Sequence, residues 1–380
     1  MRITVISRSW PSNERSGVSL AAATHVKILV GLGHEVSIIG ALPEVMSEDL
    51  PVTHKLWVKA TGSGALYSKA KVDREGLRAA VLVTNPQLVL LEAWQTALTD
   101  ASIEVAYELK IPCALISHGI SLHRHSNSPS QWLRGLGWVA YRYLKLPRLI
   151  KKLGAITTLD DLSLSKRFFD RDLAKMIGLK VLPLKNLPVH WSVNFVPRAE
   201  RKLQVISIGY FTAIKNQLGA IRAFNCLPAN ITLCLIGDRS GAYYESCRAL
   251  VHELQLEKRI VFMQDHECNI AEEIANSIAI YAPSLTEALP ITLLEAMACG
   301  TPFVATPVGA IPSFKGGISI AREHHQVNAL IKLIEDECFW KKYSDAGRLQ
   351  FQQEFSETCI TKQVAQLVDY CAATFQIGKT

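Results

Sequence analysis

Short β-branched and aliphatic runs alternate with amphipathic stretches of helical period along most of the chain. Parallel strands joined by crossover helices leave this pattern. In the first half the runs at 3–7, 35–39, 88–92, 113–117 and 155–158 read as strands, with helices between them. Gly31-Leu32-Gly33-His34 closes the first helix, where glycine supplies the left-handed conformation of a C-terminal cap. The period is lost between 186 and 204, in a segment that holds Pro188, Pro197 and the charged cluster 198–202, and this segment reads as a linker. The alternation then restarts, with strands at 204–208, 231–236, 259–263, 278–282 and 303–305. The fold class is therefore α/β, with two Rossmann-like doubly wound domains at 1–190 and 200–355 and a helix within 356–380.

Composition narrows the class further. A chain of 380 residues that is 49% hydrophobic has material for two cores, which excludes a disordered or fibrous protein. Met1-Arg2-Ile3-Thr4-Val5-Ile6-Ser7 reads as a core strand rather than a secretory leader. Every apolar run is interrupted by Pro, Asn or charge before it reaches the roughly 18 residues of a membrane span. The nine cysteines show no zinc-like spacing and read as reduced, mostly buried thiols of a cytoplasmic protein. A net charge of +7 favours anionic partners.

The segment from Pro283 to Pro302 carries the most chemistry. It leaves a strand at Ala282, turns at Pro283 and Ser284, and enters a helix near Pro290, a residue suited to a first helical turn. The turn and helix start thus lie at the carboxyl edge of the second sheet, where backbone amides and the helix dipole favour a phosphate. Glu287 and Glu295, one in the loop and one in the helix, can accept hydrogen bonds from hydroxyl groups on either side of that phosphate. A sugar nucleotide suits such a pair.

This segment resembles the E-x7-E signature of the retaining GT-B glycosyltransferases of family four, the glycosyl transferases group 1. The likeness continues through Leu294-Glu295-Ala296-Met297-Ala298-Cys299-Gly300-Thr301-Pro302 and Thr306-Pro307-Val308-Gly309-Ala310-Ile311-Pro312. It implies a GT-B fold whose two domains face a central cleft, and a final helix from about 357 to 375 that crosses back to the first domain. It places Glu295 on the ribose hydroxyls, Glu287 on the donor sugar, and the amides around Leu289, Pro290 and Ile291 on the diphosphate, although Pro290 itself cannot donate. No cofactor and no metal is implied; the donor is a UDP- or GDP-linked sugar.

Upstream, Gly209 and Lys215 share the loop after the first strand of the second domain, and Lys215 can bring a cation to the pyrophosphate. In the family an Arg beside the glycine partners this Lys. Here that position is Tyr210, which removes one positive charge from the leaving group. Gly237, after the next strand, lets the base or ribose approach the backbone, or simply makes a turn. In the first domain the loop 9–17 carries only Gly17, beside Ser16, where the resemblance implies paired glycines. His118 ends a strand, and the resemblance sets it next to the reacting sugar; a satisfied core histidine is the alternative. His123 and His125 lack a spaced carboxylate or thiolate partner and do not read as a metal site.

Residues 131–152 hold Arg134, Arg142, Lys145, Arg148, Lys151 and Lys152 with no acidic residue, interleaved with Trp132, Trp138, Tyr141 and Tyr143. Two readings fit: a solvated helix whose aromatics pack on the sheet, and a peripheral contact with an anionic membrane on its inner face. No nucleic-acid module accompanies the charge. The sequence as a whole reads as a retaining glycosyltransferase that moves a sugar from a nucleoside diphosphate sugar to a sugar or lipid-linked acceptor, in surface polysaccharide or glycolipid synthesis. The alternatives are a nucleotide-sugar epimerase and a nucleotide-binding scaffold subunit of little activity.

Overall fold

The structure is a computed structural model that describes residues 1–11, 16–42, 50–64, 69–119, 129–159, 168–188 and 195–377. The chain divides into two compact units, one formed by Met1–Asn186 with Glu357–Thr380 and the other by Leu187–Ser356.

The first unit holds strands β1 (Arg2–Ser7), β2 (Glu35–Ala41), β3 (Lys55–Val58), β4 (Ala60–Thr61), β5 (Lys71–Val72), β6 (Leu88–Glu92), β7 (Cys113–Ile116), β8 (Ala155–Thr158) and β9 (Lys180–Pro183). Seven of them form one parallel sheet in the order β3-β2-β1-β6-β7-β8-β9, while β4 and β5 pair as a separate antiparallel ribbon. Helices α1 (Gly17–Gly31), α2 (Arg74–Thr84), α3 (Ala97–Glu108), α4 (Pro129–Ala140), α5 (Leu146–Ile150) and α6 (Asp170–Met176) make the connections. The central strands are buried along their length, as β6 is throughout Leu-Val-Leu-Leu-Glu, because helices cover both faces of a parallel sheet. Ser16 starts α1: its side chain accepts from the Ser19 amide while the Ser19 side chain accepts from the Ser16 amide. Past the other end of this helix, Gly33 takes φ +80.

The second unit repeats the scheme with β10 (Lys202–Ile208), β11 (Thr232–Ile236), β12 (Ile260–Met263), β13 (Ser277–Ala282), β14 (Phe303–Ala305) and β15 (Gly317–Ser319). Its all-parallel sheet runs β12-β11-β10-β13-β14-β15. This is the doubly wound dinucleotide-fold order, which reverses direction between β10 and β13. The first unit has the same order with one strand added, and reverses between β1 and β6. The helices are α7 (Gln217–Phe224), α8 (Ala242–Glu253), α9 (Ile270–Asn276), α10 (Ile291–Cys299), α11 (Glu323–Glu335) and α12 (Glu337–Gln350). Leu233, Leu235, Tyr281, Val304, Leu330 and Trp340 are among the residues of its core.

A last helix, α13 (Glu357–Ile377), packs on α1, β6 and β9 of the first unit. Ile360, Val364, Leu367, Val368 and Cys371 are all buried, a spacing that puts them on one helical face. Five of the nine cysteines are buried, and none is disulfide-bonded. Burial pushes the Cys234, Cys299 and Cys371 thiols up to about 12, which leaves them inert at neutral pH.

The segment 131–152 is helical almost throughout: α4, a wide helical turn at Tyr141–Lys145, then α5. The side chains of Trp132 and Arg134 lie outside the described part. Tyr141 is fully buried; it packs with Trp138 against Trp94 and donates its hydroxyl hydrogen to Asp100 Oδ1 at 2.8 Å. Lys145 reaches the other oxygen of Asp100 at 2.7 Å, Lys152 pairs with Glu104, and Arg142 lies over the Phe169 ring. Leu136, Tyr143 and Leu144 remain exposed. Among the described residues no helix is long and apolar enough to cross a membrane.

Candidate functional site

In the second unit, the loops that follow β10 and β13 lie side by side at the carboxyl edge where the strand order reverses, the place at which open α/β sheets bind ligands. Glycine is required to build the first loop. Gly209 takes φ +148, and a Cβ on Gly237 would fall 2.3 Å from the Gly209 carbonyl oxygen. Gln217 Nε2 then donates to the carbonyls of Gly209 and Tyr210 at 3.1 and 2.9 Å, which fixes the path of the loop. Tyr210 itself is well exposed.

The two loops are stitched together. The Leu285 amide donates to Ile214 O at 2.7 Å, and Asn216 Nδ2 donates to Pro283 O at 3.3 Å. Asn216 adopts a left-handed conformation and caps α7 through its own side chain. From the other side, Thr306 Oγ1 donates to Ser284 O at 2.6 Å, and the Ala310 amide donates to Ala288 O at 2.8 Å. Gly309, at φ +58, lets the chain pass close enough that a Cβ there would lie 2.4 Å from the carbonyl oxygens of both Glu287 and Ala288.

This scaffold brings Lys215 and Glu287 together: Lys215 Nζ donates to Glu287 Oε1 at 2.7 Å, with both side chains largely but not wholly buried. Immediately beyond, Pro290 stands at the N-cap of α10 with β-region backbone and no side-chain cap, so the helix begins one residue later than the sequence pattern suggests. The first intrahelical bonds run from the Leu293 and Leu294 amides to Pro290 O. The amides of Ile291 and Thr292 precede them, at the positive end of the helix. Leu289 and Ile291 are buried. Glu295 follows in α10 and is buried. Gly209, Lys215, Glu287, Pro290 and Glu295 thus fall within two adjoining loops and the helix that continues one of them.

The first unit places Gly17, exposed, at the first position of α1 behind the Ser16 cap. Residues 12–15 of that loop, together with His123 and His125, lie outside the described residues. His118, two residues beyond β7, has φ +51, a conformation that is costly for a residue bearing a Cβ. Its Nε2 lies 2.6 Å from Glu92 Oε2, while His25 Nδ1, from α1, lies 2.8 Å from Glu92 Oε1. Glu92 ends β6, opposite Ser7 of β1 and Ile116 of β7, and so sits where the first sheet reverses. Burial opposes ionisation of this carboxyl, but the positive field of His25 and hydrogen bonds from both imidazoles outweigh it and hold the group at about 2.

Among the described residues, His25, Glu92 and His118 are the group of side chains spaced to hold a metal ion, with ligand atoms within 4.8 Å of one another. In the arrangement seen, each carboxylate oxygen instead accepts a hydrogen bond from one imidazole, which requires protons on the nitrogens that a metal would occupy. Glu92 and His25 were not singled out from the sequence. The available signal was a carboxylate closing an otherwise apolar strand, and a histidine within the apolar run of a helix.

Two doubly wound units in this strand order define the GT-B class of fold, and solved structures of that class match nearly the whole chain. A sucrose-phosphate synthase from Thermosynechococcus elongatus superposes with a TM-score of 0.74 at 16% identity, covering 98% of this chain and 99% of that one. The pneumococcal O-GlcNAc transferase GtfA, in complex with UDP and GlcNAc, superposes with a TM-score of 0.72 at 12% identity, covering 98% and 99%. Residues 193–350, within the second unit, match the model of the family Glycosyl transferases group 1. The N-acetyl-alpha-D-glucosaminyl L-malate synthase of Bacillus anthracis is 28% identical over 173 residues, which are 43% of this chain and 45% of that protein. The chain therefore aligns with a little under half the length of this curated relative.

Proposed function

We propose that the protein is a retaining glycosyltransferase that moves a sugar from a UDP- or GDP-linked donor to an acceptor hydroxyl, in the synthesis of a surface polysaccharide or glycolipid. The observation that carries this reading is the meeting at 2.7 Å of Lys215 with Glu287 of the loop that leads into α10, whose N-cap Pro290 provides no side-chain cap. A diphosphate seated there is bound by the first-turn amides and by Lys215. Glu295, one helical turn further on, takes the ribose hydroxyls, and Glu287 turns to the sugar. As the glycosidic bond loosens, negative charge gathers on the departing phosphate, where fixed amides and a lysine stabilise it most. Lys215 performs this with the exposed Tyr210, not a second cation, beside the glycine. The protein itself needs no resident cofactor for these steps.

A lipid-linked acceptor fits the exposed Leu136, Tyr143 and Leu144, which share a segment with Arg148 and Lys151. Calorimetric titration with UDP and GDP tests the donor site. The wild type is expected to bind one of them, and folded Glu295→Ala to lose that binding. Equal affinity in the two proteins removes the basis of the proposal.

A further inference from the structure

We infer that Glu92 is a positioning residue for His118: it accepts the Nε2 hydrogen bond, locks the ring, and leaves Nδ1 as the nitrogen that meets a substrate. The inference rests on the transferase reading, in which His118 touches a substrate.

The geometry is over-determined, as pre-organisation requires. Glu92 is buried at the end of β6, and each of its oxygens has its own imidazole, His118 at 2.6 Å and His25 at 2.8 Å. An ionised carboxylate can only accept, so both touching nitrogens carry protons. His25 is itself buried, and its second ring nitrogen, Nε2, has no hydrogen-bond partner. His25 donates through Nδ1 to one oxygen of Glu92 and leaves the other for His118. His25 and His118 also stack, their ring centroids 6.2 Å apart.

The backbone carries a matching cost. His118 lies at φ +51, and Ala93, directly after Glu92, lies at φ +62. Two residues bearing Cβ atoms in the left-handed region, on adjacent strand ends, persist only where the surroundings hold them, and such strain gathers where a side chain must be aimed. His118, with 6% of its side chain exposed, is slightly more open to solvent than His25 at 2% and Glu92 at 0%. A carboxylate that fixes the tautomer and direction of a histidine plays this part in hydrolytic triads, where the amide replacement keeps the shape and inverts the proton preference.

The test uses the full chain. In wild-type protein labelled with ¹⁵N-histidine, with the His118 resonances assigned by their loss in His118→Asn, Nε2 of His118 is expected to carry a proton; an unprotonated Nε2 overturns the inference. Glu92→Gln is expected to release that preference and to lower kcat by about 100-fold or more, with the donor KM and UDP affinity within about threefold of wild type. A variant that keeps wild-type kcat, or that loses UDP binding in step with turnover, refutes a positioning role. Stoichiometric divalent metal in the purified protein, with activity lost on chelation, also refutes it and makes the cluster a metal site. If no sugar nucleotide supports transfer by the wild type, the transferase reading fails, while the imidazole spectrum still decides what Glu92 does to His118.

Discussion

Lys215 Nζ and Glu287 Oε1 lie 2.7 Å apart, so the lysine's charge is engaged by a carboxylate of the neighbouring loop. A diphosphate bound as proposed would compete with Glu287 for Lys215. Glu287→Gln removes the competitor and one repelling charge, and is expected to bind UDP or GDP a few-fold more tightly while turnover falls at least about tenfold. Lys215→Ala is expected to weaken nucleotide binding and turnover together. Because both side chains are largely buried, Lys215→Ala leaves the carboxylate unpaired and is expected to cost about 1–3 kcal/mol of stability. Calorimetry and initial rates on the two variants check the pattern; weaker nucleotide binding by Glu287→Gln contradicts it.

Gly309 offers a backbone test of the same loop. At φ +58, with the Glu287 and Ala288 carbonyl oxygens 2.4 Å from where a Cβ would stand, alanine is both strained and obstructed. The neighbour that must yield is the loop bearing Glu287. Gly309→Ala is expected to cost about 1–3 kcal/mol of stability and to weaken UDP or GDP binding at least about tenfold. Urea unfolding and calorimetry measure the two effects; wild-type values for both show that the loop can move aside without consequence.

The alternation of apolar runs and helical stretches carried the α/β class because a parallel sheet covered on both faces imposes it on every central strand, as in Leu-Val-Leu-Leu at 88–91. The edge strands Lys180–Pro183 and Gly317–Ser319 were not legible, since four or three partly exposed residues carry no pattern. In the second unit, Glu287 and Glu295 could be singled out because the loop and helix that bear them are contiguous in sequence. The ion pair with Lys215 joins residues 72 positions apart and depends on two loops bonded through Leu285 and Ile214. Glu92, His25 and His118 come from three separate elements, and only the sheet order brings them together.

Arg201 separates stability from chemistry. Buried, it stacks on Trp340 and donates to Val196 O, Ser277 O, Cys299 O and Thr301 Oγ1, with distances from 2.6 to 3.1 Å. It thereby seals the carboxyl end of α10, where a cation complements the helix dipole. Burial pulls its guanidinium down to about 10, still charged at neutral pH. Arg201→Lys keeps the charge but not the planar fork, and leaves several of these carbonyls unsatisfied. A loss of about 2–4 kcal/mol in urea unfolding is expected, with UDP or GDP affinity of the folded protein unchanged. An unaltered unfolding midpoint refutes the capping role.

Acid titration reports on Glu92 independently of any substrate. The ordinary carboxyl value is 4.5, and in the folded protein burial, which raises it, is overcome by His25 and His118, so that it falls to about 2. The folded state therefore holds Glu92 ionised below the pH at which the unfolded chain takes up the proton. The stabilisation is complete above about pH 4.5 and is lost as pH falls from there towards about 2. Glu92→Gln has no such group and leaves a neutral amide against two imidazoles. The wild type is expected to melt above this variant near neutral pH, and the gap between their midpoints to narrow steadily below about pH 4.5. Differential scanning calorimetry of both proteins from about pH 7 to about pH 3 measures the gap. A gap that stays constant, or widens in acid, shows that the carboxylate contributes no favourable charge pairing to the fold.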